Sequence, residues 1–353
     1  MKAPKARLRR IAAIACGLLH ATAASADDGL AVAVLTPPVP AIVDGARTLR
    51  YEMLLRNTAN EPVSLQTVEV RDAATDTLIA ALVGTALAAA TARQASGWAG
   101  DTPLTLEPGA NAYVYLDVDA TSARRLAHRV SYLRGGRTET ADVAPARVDE
   151  RRAIHLGPPL AGGTYAAVYD PSMAGGHRRY FYENGGVQRV PGWFAIDWFP
   201  IDGGPGVGSS VIAVADASVA VAVDENKGPE GVHVVLDLGG GRFAHYEHLL
   251  PGLMVREGQR VRRGAQLGRL GATGQVTGPH LHFHLSDGLT STGWEGRPYL
   301  LDNATVVGGY ASIEAAVEGD AWTRRDRRQL SGLPAPNAVV EFTPAHYDTA
   351  EVH

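Results

Sequence analysis

Thr277-Gly278-Pro279-His280-Leu281-His282-Phe283-His284 is the stretch richest in chemistry. In an extended strand, side chains at i and i+2 share a face, so His280, His282 and His284 line up while Leu281 and Phe283 point to the opposite, apolar side. Gly278-Pro279 is a turn that leads into this strand. Three imidazoles on one face suit a divalent zinc ion, for which neutral imidazole is a favoured ligand. Surface or core histidines with no metal are the bland alternative, and an alternating triplet after a tight turn argues against them.

Two further elements carry groups of the same kind. Tyr246-Glu247-His248-Leu249 ends an apolar strand just before Pro251-Gly252, which sets His248 at a strand end. Trp193-Phe194-Ala195-Ile196-Asp197-Trp198 is a hydrophobic strand with one carboxylate. A buried Asp197 needs a partner that offsets its desolvation, either a metal or an arginine such as Arg178 or Arg189.

These three elements must be held together, and the residues between them suggest how. Val255, Gly258, Val261, Gly264, Leu267-Gly268, Gly271 and Thr273-Gly274 form a register of small residues at triplet spacing. Such spacing marks tight turns between short strands whose backbones pack closely. A phosphate-cradling loop is a poor alternative, because no Gly-Lys-Ser/Thr and no following helix appear.

Tyr-x-His-Leu, the glycine register and T-G-P-H-L-H-F together resemble the lysostaphin/LytM-like zinc metallopeptidases, densely over Val211–Leu285 and loosely over Gly162–Pro298. The resemblance implies a compact, mostly antiparallel β domain that cuts peptide bonds of bacterial peptidoglycan. It implies a zinc held by two histidines and one aspartate, with two more histidines for catalysis. Carried over residue by residue, His282 and Asp197 are zinc ligands, and His248 and His280 are the catalytic pair. The second histidine ligand departs from the family pattern: its place, four residues before Asp197, holds Trp193. His177, in Gly175-Gly176-His177-Arg178-Arg179, is the nearest upstream histidine and takes that role by assignment. His284 is expected beside the ligands rather than among them. Three protein ligands leave one position of a tetrahedral zinc for water. The alternative is a non-catalytic relative that binds the cell wall or activates a separate amidase. A metal-scavenging protein would need more exposed ligands and leaves the glycine register unexplained.

The rest of the chain frames this region. Basic residues from Lys2 to Arg10, the apolar run Ile11–Leu19 and Ala24-Ser25-Ala26 read as a secretory signal over residues 1–26. Lipid attachment at Cys16, the sole cysteine, is disfavoured by the very short apolar run before it. Without residues 1–26, 28 basic residues stand against 37 acidic ones, a formal charge of −9, the wrong sign for a nucleic-acid binder. No later run of apolar residues is long enough to span a membrane. With no disulfide available, packing, with or without a metal, must hold an exported fold.

Residues 27–150 alternate apolar and polar positions in several short segments, among them Leu49–Leu55, Ser64–Val70 and Ala112–Val118. Turns at Asn57–Asn60 and Pro108–Asn111 separate them, as in a β-sandwich. The Ala-rich stretch Ala80–Ala92 reads as one short helix or a loose crossover. No site-like cluster appears in this half, which is expected to be a structural or docking module. Eight of the 12 histidines fall between His155 and His284, within a peptidase-like region expected over residues 151–305. Residues 306–353 read as a C-terminal extension, in which Arg324–Arg328 is a solvated charge run, with a basic patch for an anionic polymer as the alternative. The fold expected is all-β: an N-terminal β-sandwich followed by a compact antiparallel β-sheet metallopeptidase domain.

Overall fold

The computed structural model describes residues 29–93, 104–119, 122–169, 176–184, 187–201 and 206–343. The expected signal segment and the end of the C-terminal extension lie outside the described residues. Nearly all the regular structure is β, with two short α-helices, Gly84–Ala89 and Ile313–Val317. No described helix is long and apolar enough to cross a membrane.

Two five-stranded sheets with antiparallel pairings make up the first half. One is ordered Leu30–Val34, Ala46–Asn57, Asn111–Asp119, Thr91–Ala92, with Val39–Val43 also on Ala46–Asn57. The other runs Arg137–Arg147, Arg125–Arg134, Val63–Asp72, Leu78–Val83, with Thr105–Leu106 also on Val63–Asp72. Alternate residues of both, such as Tyr51, Met53 and Leu55 or Val68 and Val130, are fully buried in one apolar cluster. Tyr51 Oη lies 2.8 Å from His128 Nε2 across the two sheets. The Ala-rich stretch resolves into the strand Leu78–Val83, the helix Gly84–Ala89 and the short strand Thr91–Ala92.

The alternation seen in Leu49–Leu55 has a consequence that sequence reasoning passed over. Its polar positions Arg50 and Glu52 are also buried, Glu52 completely, because the outer face of this strand meets Arg178 and Trp193 of the second half.

A ten-stranded antiparallel sheet organises the second half. Its order is Arg260–Val261, Ala217–Val223, Val232–Asp237, Phe243–Leu249, Leu281–Ser286, Ile196–Pro200, Gly163–Val168, Ala338–Phe342, Ala304–Gly309, Thr323–Gln329. The described strands after residue 306 are thus part of this sheet: Ala338–Phe342 pairs with both Gly163–Val168 and Ala304–Gly309. The charge run Arg324–Arg328 is its exposed edge strand, where charged side chains discourage pairing with another chain.

Candidate metal centre and catalytic histidines

Three neighbouring strands, Phe243–Leu249, Leu281–Ser286 and Ile196–Pro200, form the floor of the site. Their register puts Glu247 opposite His282 and His282 opposite Asp197. One residue along, Tyr246, Phe283 and Ile196 are matched in the same way and buried in the core. Period-two alternation therefore separates an apolar face from a face of imidazoles and carboxylates. A one-residue slip would exchange the two, so burial of the apolar row fixes the polar row.

Asp197 stands at the centre. His282 Nδ1 is 2.9 Å from its Oδ1, His177 Nε2 is 3.0 Å from its Oδ2, and the rings of His177 and His282 are 4.5 Å apart. Burial alone would raise the Asp197 carboxyl, yet His177 and His282 beside it hold it well below the usual range. His177 goes the other way: burial opposes its charge, but Asp197 raises it. Burial, with His177 alongside, lowers His282. One ligand atom from each of these three residues lies within 4.8 Å of the other two, which makes the trio a group able to hold a metal ion. Two imidazoles and a carboxylate, each oxygen facing a different ring, are a donor set that fits zinc.

The structure also accounts for the departure at position 193. Trp193 is buried and donates its Nε1–H to Glu52 Oε1 at 2.9 Å. His177 reaches Asp197 from a 3₁₀ turn, His177–Arg179, instead. Its close approach needs a glycine at 192, where a Cβ would come within 2.9 Å of His177 Cβ. Neither arginine considered for Asp197 pairs with it: Arg178 binds Glu52 and Asp117, and Arg189 lies by Glu295.

His248 and His280 stand together next to this trio, their rings 4.9 Å apart. His280 Nε2 is 3.6 Å from Asp197 Oδ1, beyond a hydrogen bond. Both rings are anchored through Nδ1 to a main-chain carbonyl, His248 to Thr273 at 3.0 Å and His280 to Gly278 at 2.8 Å. A carbonyl only accepts, so each Nδ1 carries the proton and each Nε2 is left for other work. Burial, with His282 and His280 nearby, takes His248 down to about 3, so it is neutral at pH 7. His248 has φ +66°, the left-handed region, where its strand ends. Behind it Gly271 approaches so closely that a Cβ would lie 2.9 Å from His248 O and 2.6 Å from Leu250 N. Gly271 also forms an antiparallel bridge with His280. The glycine register thus backs both histidines at one point.

His284 Nδ1 is 3.0 Å from His282 Nε2, beside the trio as expected. Sequence reasoning missed His245 and Glu247, although His245-Tyr246-Glu247 repeats the i, i+2 spacing of His280–His284. Burial, together with Glu230 and Asp197, lifts the Glu247 carboxyl to about 8. His245, Glu247 and His284 form a second buried group with metal-ligand spacing. There the His245 and His284 rings stack 4.3 Å apart at 7°, so their lone pairs lie in two parallel planes.

Comparison with known proteins bears on this stretch of chain. Residues 200–293 match peptidase family M23. The matched stretch holds His248, His280 and His282; Asp197 and His177 precede it. The likeness to lysostaphin/LytM-type peptidases read from the motifs therefore holds over this M23 region. Peptidoglycan DD-endopeptidase ShyA of Vibrio cholerae serotype O1 is 38% identical over 79 residues, 22% of this chain and 18% of that protein. Peptidoglycan DD-endopeptidase ShyB of the same organism is 36% identical over 80 residues, again 22% and 18%. The chain thus matches under a fifth of the length of these relatives. Among solved structures, the catalytic domain of lysostaphin from Staphylococcus simulans aligns at 22% identity over 39% of this chain and 88% of that one, with a TM-score of 0.26.

Proposed function

We propose that this chain is an exported zinc metalloendopeptidase that hydrolyses peptide bonds of bacterial peptidoglycan, using His177, Asp197 and His282 as metal ligands and His248 and His280 as catalytic residues. The observation that carries the reading is the convergence of His177 and His282 on the two oxygens of Asp197, with the rings of two anchored histidines next to them. Bound to that trio, zinc supplies positive charge that polarises a scissile carbonyl and acidifies water.

The remaining steps belong to the chain itself. With Nδ1 of each held by a main-chain carbonyl, His248 and His280 offer Nε2 to take a proton from the attacking water, then return it to the leaving amine. Their Nδ1 anchors keep both rings from rotating during the transfer. A protonated imidazole of the pair is also placed to donate to the oxyanion that develops on the carbonyl. Asp197 balances one of the two charges of the ion.

Two relatives are peptidoglycan DD-endopeptidases, which makes the D,D cross-link the first bond to test. An excess of acidic residues and an expected N-terminal signal favour a cell-wall peptide over nucleic acid as the partner. The rival reading is a non-catalytic wall binder or amidase activator, for which the absent histidine at 193 speaks; the 3.0 Å contact of His177 with Asp197 supports the enzyme instead. Incubating the protein with purified peptidoglycan and sequencing new amino termini by mass spectrometry tests the proposal. Cross-linked dimers converted to monomers are expected; intact muropeptides after prolonged incubation with zinc would refute it.

A further inference from the structure

Glu52 is fully buried, and its two oxygens are all engaged. Oε2 accepts from Thr36 Oγ1 at 2.7 Å, within the first half of the chain. Oε1 accepts from Arg178 Nε at 2.6 Å and from Trp193 Nε1 at 2.9 Å, both in the second half. Arg178 follows His177 directly, and Trp193 stands four residues before Asp197. A single carboxylate oxygen thus ties down the two segments that carry two of the three proposed ligands.

Further contacts of Arg178 leave the turn little freedom. Its Nη1 donates to both oxygens of Asp117 at 3.1 and 3.0 Å, and its Nη2 to Tyr51 O and Leu116 O at 3.2 and 3.0 Å. The next guanidinium, of Arg179, lies 3.8 Å from the Tyr115 ring centroid, and Phe181 lies 5.3 Å from the ring of Tyr113. Every partner is on one of two adjacent strands, Ala46–Asn57 or Asn111–Asp119. Burying a carboxylate and a guanidinium costs several kcal/mol per ion, and a well-packed apolar pair would hold the halves together at least as firmly. What the ionic arrangement adds is direction: five donors in a rigid fork admit one placement of the backbone at 178, and hence of His177 one peptide unit away.

We propose that Glu52 is a positioning residue for the metal site: through Arg178 and Trp193, one N-terminal sheet sets His177 and Asp197 at the spacing a metal ion requires. The inference rests on the reading of His177 and Asp197 as ligands. It makes the first half of the chain a working part of the centre rather than a separate docking module.

The test is competition for zinc against a chromophoric chelator, using the full chain as wild type, Glu52→Gln, His177→Ala and the double variant. Val130→Ala, in the core of the opposite sheet, controls for general destabilisation. Glu52→Gln is expected to weaken zinc binding by roughly tenfold or more, the range for residues that orient a ligand. In the His177→Ala background the same substitution is expected to cost severalfold less than in the wild type, because only the arm through Trp193 to Asp197 is left to lose. Equal losses in both backgrounds, a Glu52→Gln affinity within twofold of wild type, or an equal loss in Val130→Ala would each overturn the proposal. Should Glu52→Gln fail to fold, Arg178→Lys, which cannot keep the fork of donors, takes its place with the same expectations. A wild-type chain that binds no zinc would instead sink the ligand reading, and the inference with it.

Discussion

Replacing Gly271 with alanine tests how closely catalysis depends on the glycine register. The added Cβ would stand 2.6 Å from Leu250 N, 2.7 Å from Leu249 C and 2.9 Å from His248 O, all main-chain atoms with no rotamer to escape into. Comfortable contact needs about 3.5 Å, so the 248–250 backbone or the Gly271–His280 bridge must retreat by roughly 0.5–1 Å. Overpacking of this kind costs about 1–3 kcal/mol of stability. The displacement falls on His248 and His280, whose rings are 4.9 Å apart, and misplacing reacting groups by ~1 Å lowers turnover about a hundredfold. The assay pairs urea unfolding with hydrolysis of purified peptidoglycan and a zinc determination. Gly271→Ala is expected to retain zinc, lose about 2 kcal/mol and fall about a hundredfold in turnover. Gly268→Ala is the control, since its Cβ would meet the ends of the Leu253 and Leu249 side chains at 3.1 and 3.4 Å, which can rotate aside. Wild-type turnover in folded Gly271→Ala, or loss of its zinc, would show that the glycine does not act through the two histidines.

Three other outcomes are expected. His280→Ala retains zinc but loses turnover by about a hundredfold or more, since general acid–base groups contribute on that scale; full activity would exclude His280 from catalysis. His282→Ala loses the metal itself, and equal zinc content in the two variants would contradict the division of roles. Burial takes His128 down to about 4, whereas an unfolded chain titrates near 6.5. Its neutral form is favoured when folded, so its contribution is complete above about pH 6.5 and declines as pH falls towards 4. The loss by pH 4.5 is about 2.5 kcal/mol, and His128→Gln should show a correspondingly flatter acid limb in urea unfolding. A variant with the same acid sensitivity as wild type would refute this.

Much of the site was legible because period-two alternation is a local property. His280, His282 and His284 share a face whatever their neighbours, and Asp197 stood out as the one carboxylate in an apolar run. Which strands become neighbours is not local, so the row Glu247–His282–Asp197 appeared only with the sheet register. Position 193 misled in a useful way: tryptophan there read as a missing ligand, yet its indole is bonded to Glu52 and a turn twenty residues upstream of Asp197 brings His177 in. Glu52 was invisible, because polar residues alternating with Leu49, Tyr51 and Met53 look like a solvated face until another part of the chain covers it. The final strands escaped notice for a similar reason. Ala338–Phe342 is too short to announce itself and is secured by partners at Gly163–Val168 and Ala304–Gly309.

The proposed zinc site needs His177, from outside the matched family stretch, beside Asp197 and His282. Elemental analysis of the full chain after dialysis, as wild type and as His177→Ala, tests it most directly. About one zinc per chain is expected for the wild type, with most of it lost in the variant. A wild type without zinc, or a His177→Ala protein that keeps its full complement, would contradict the account.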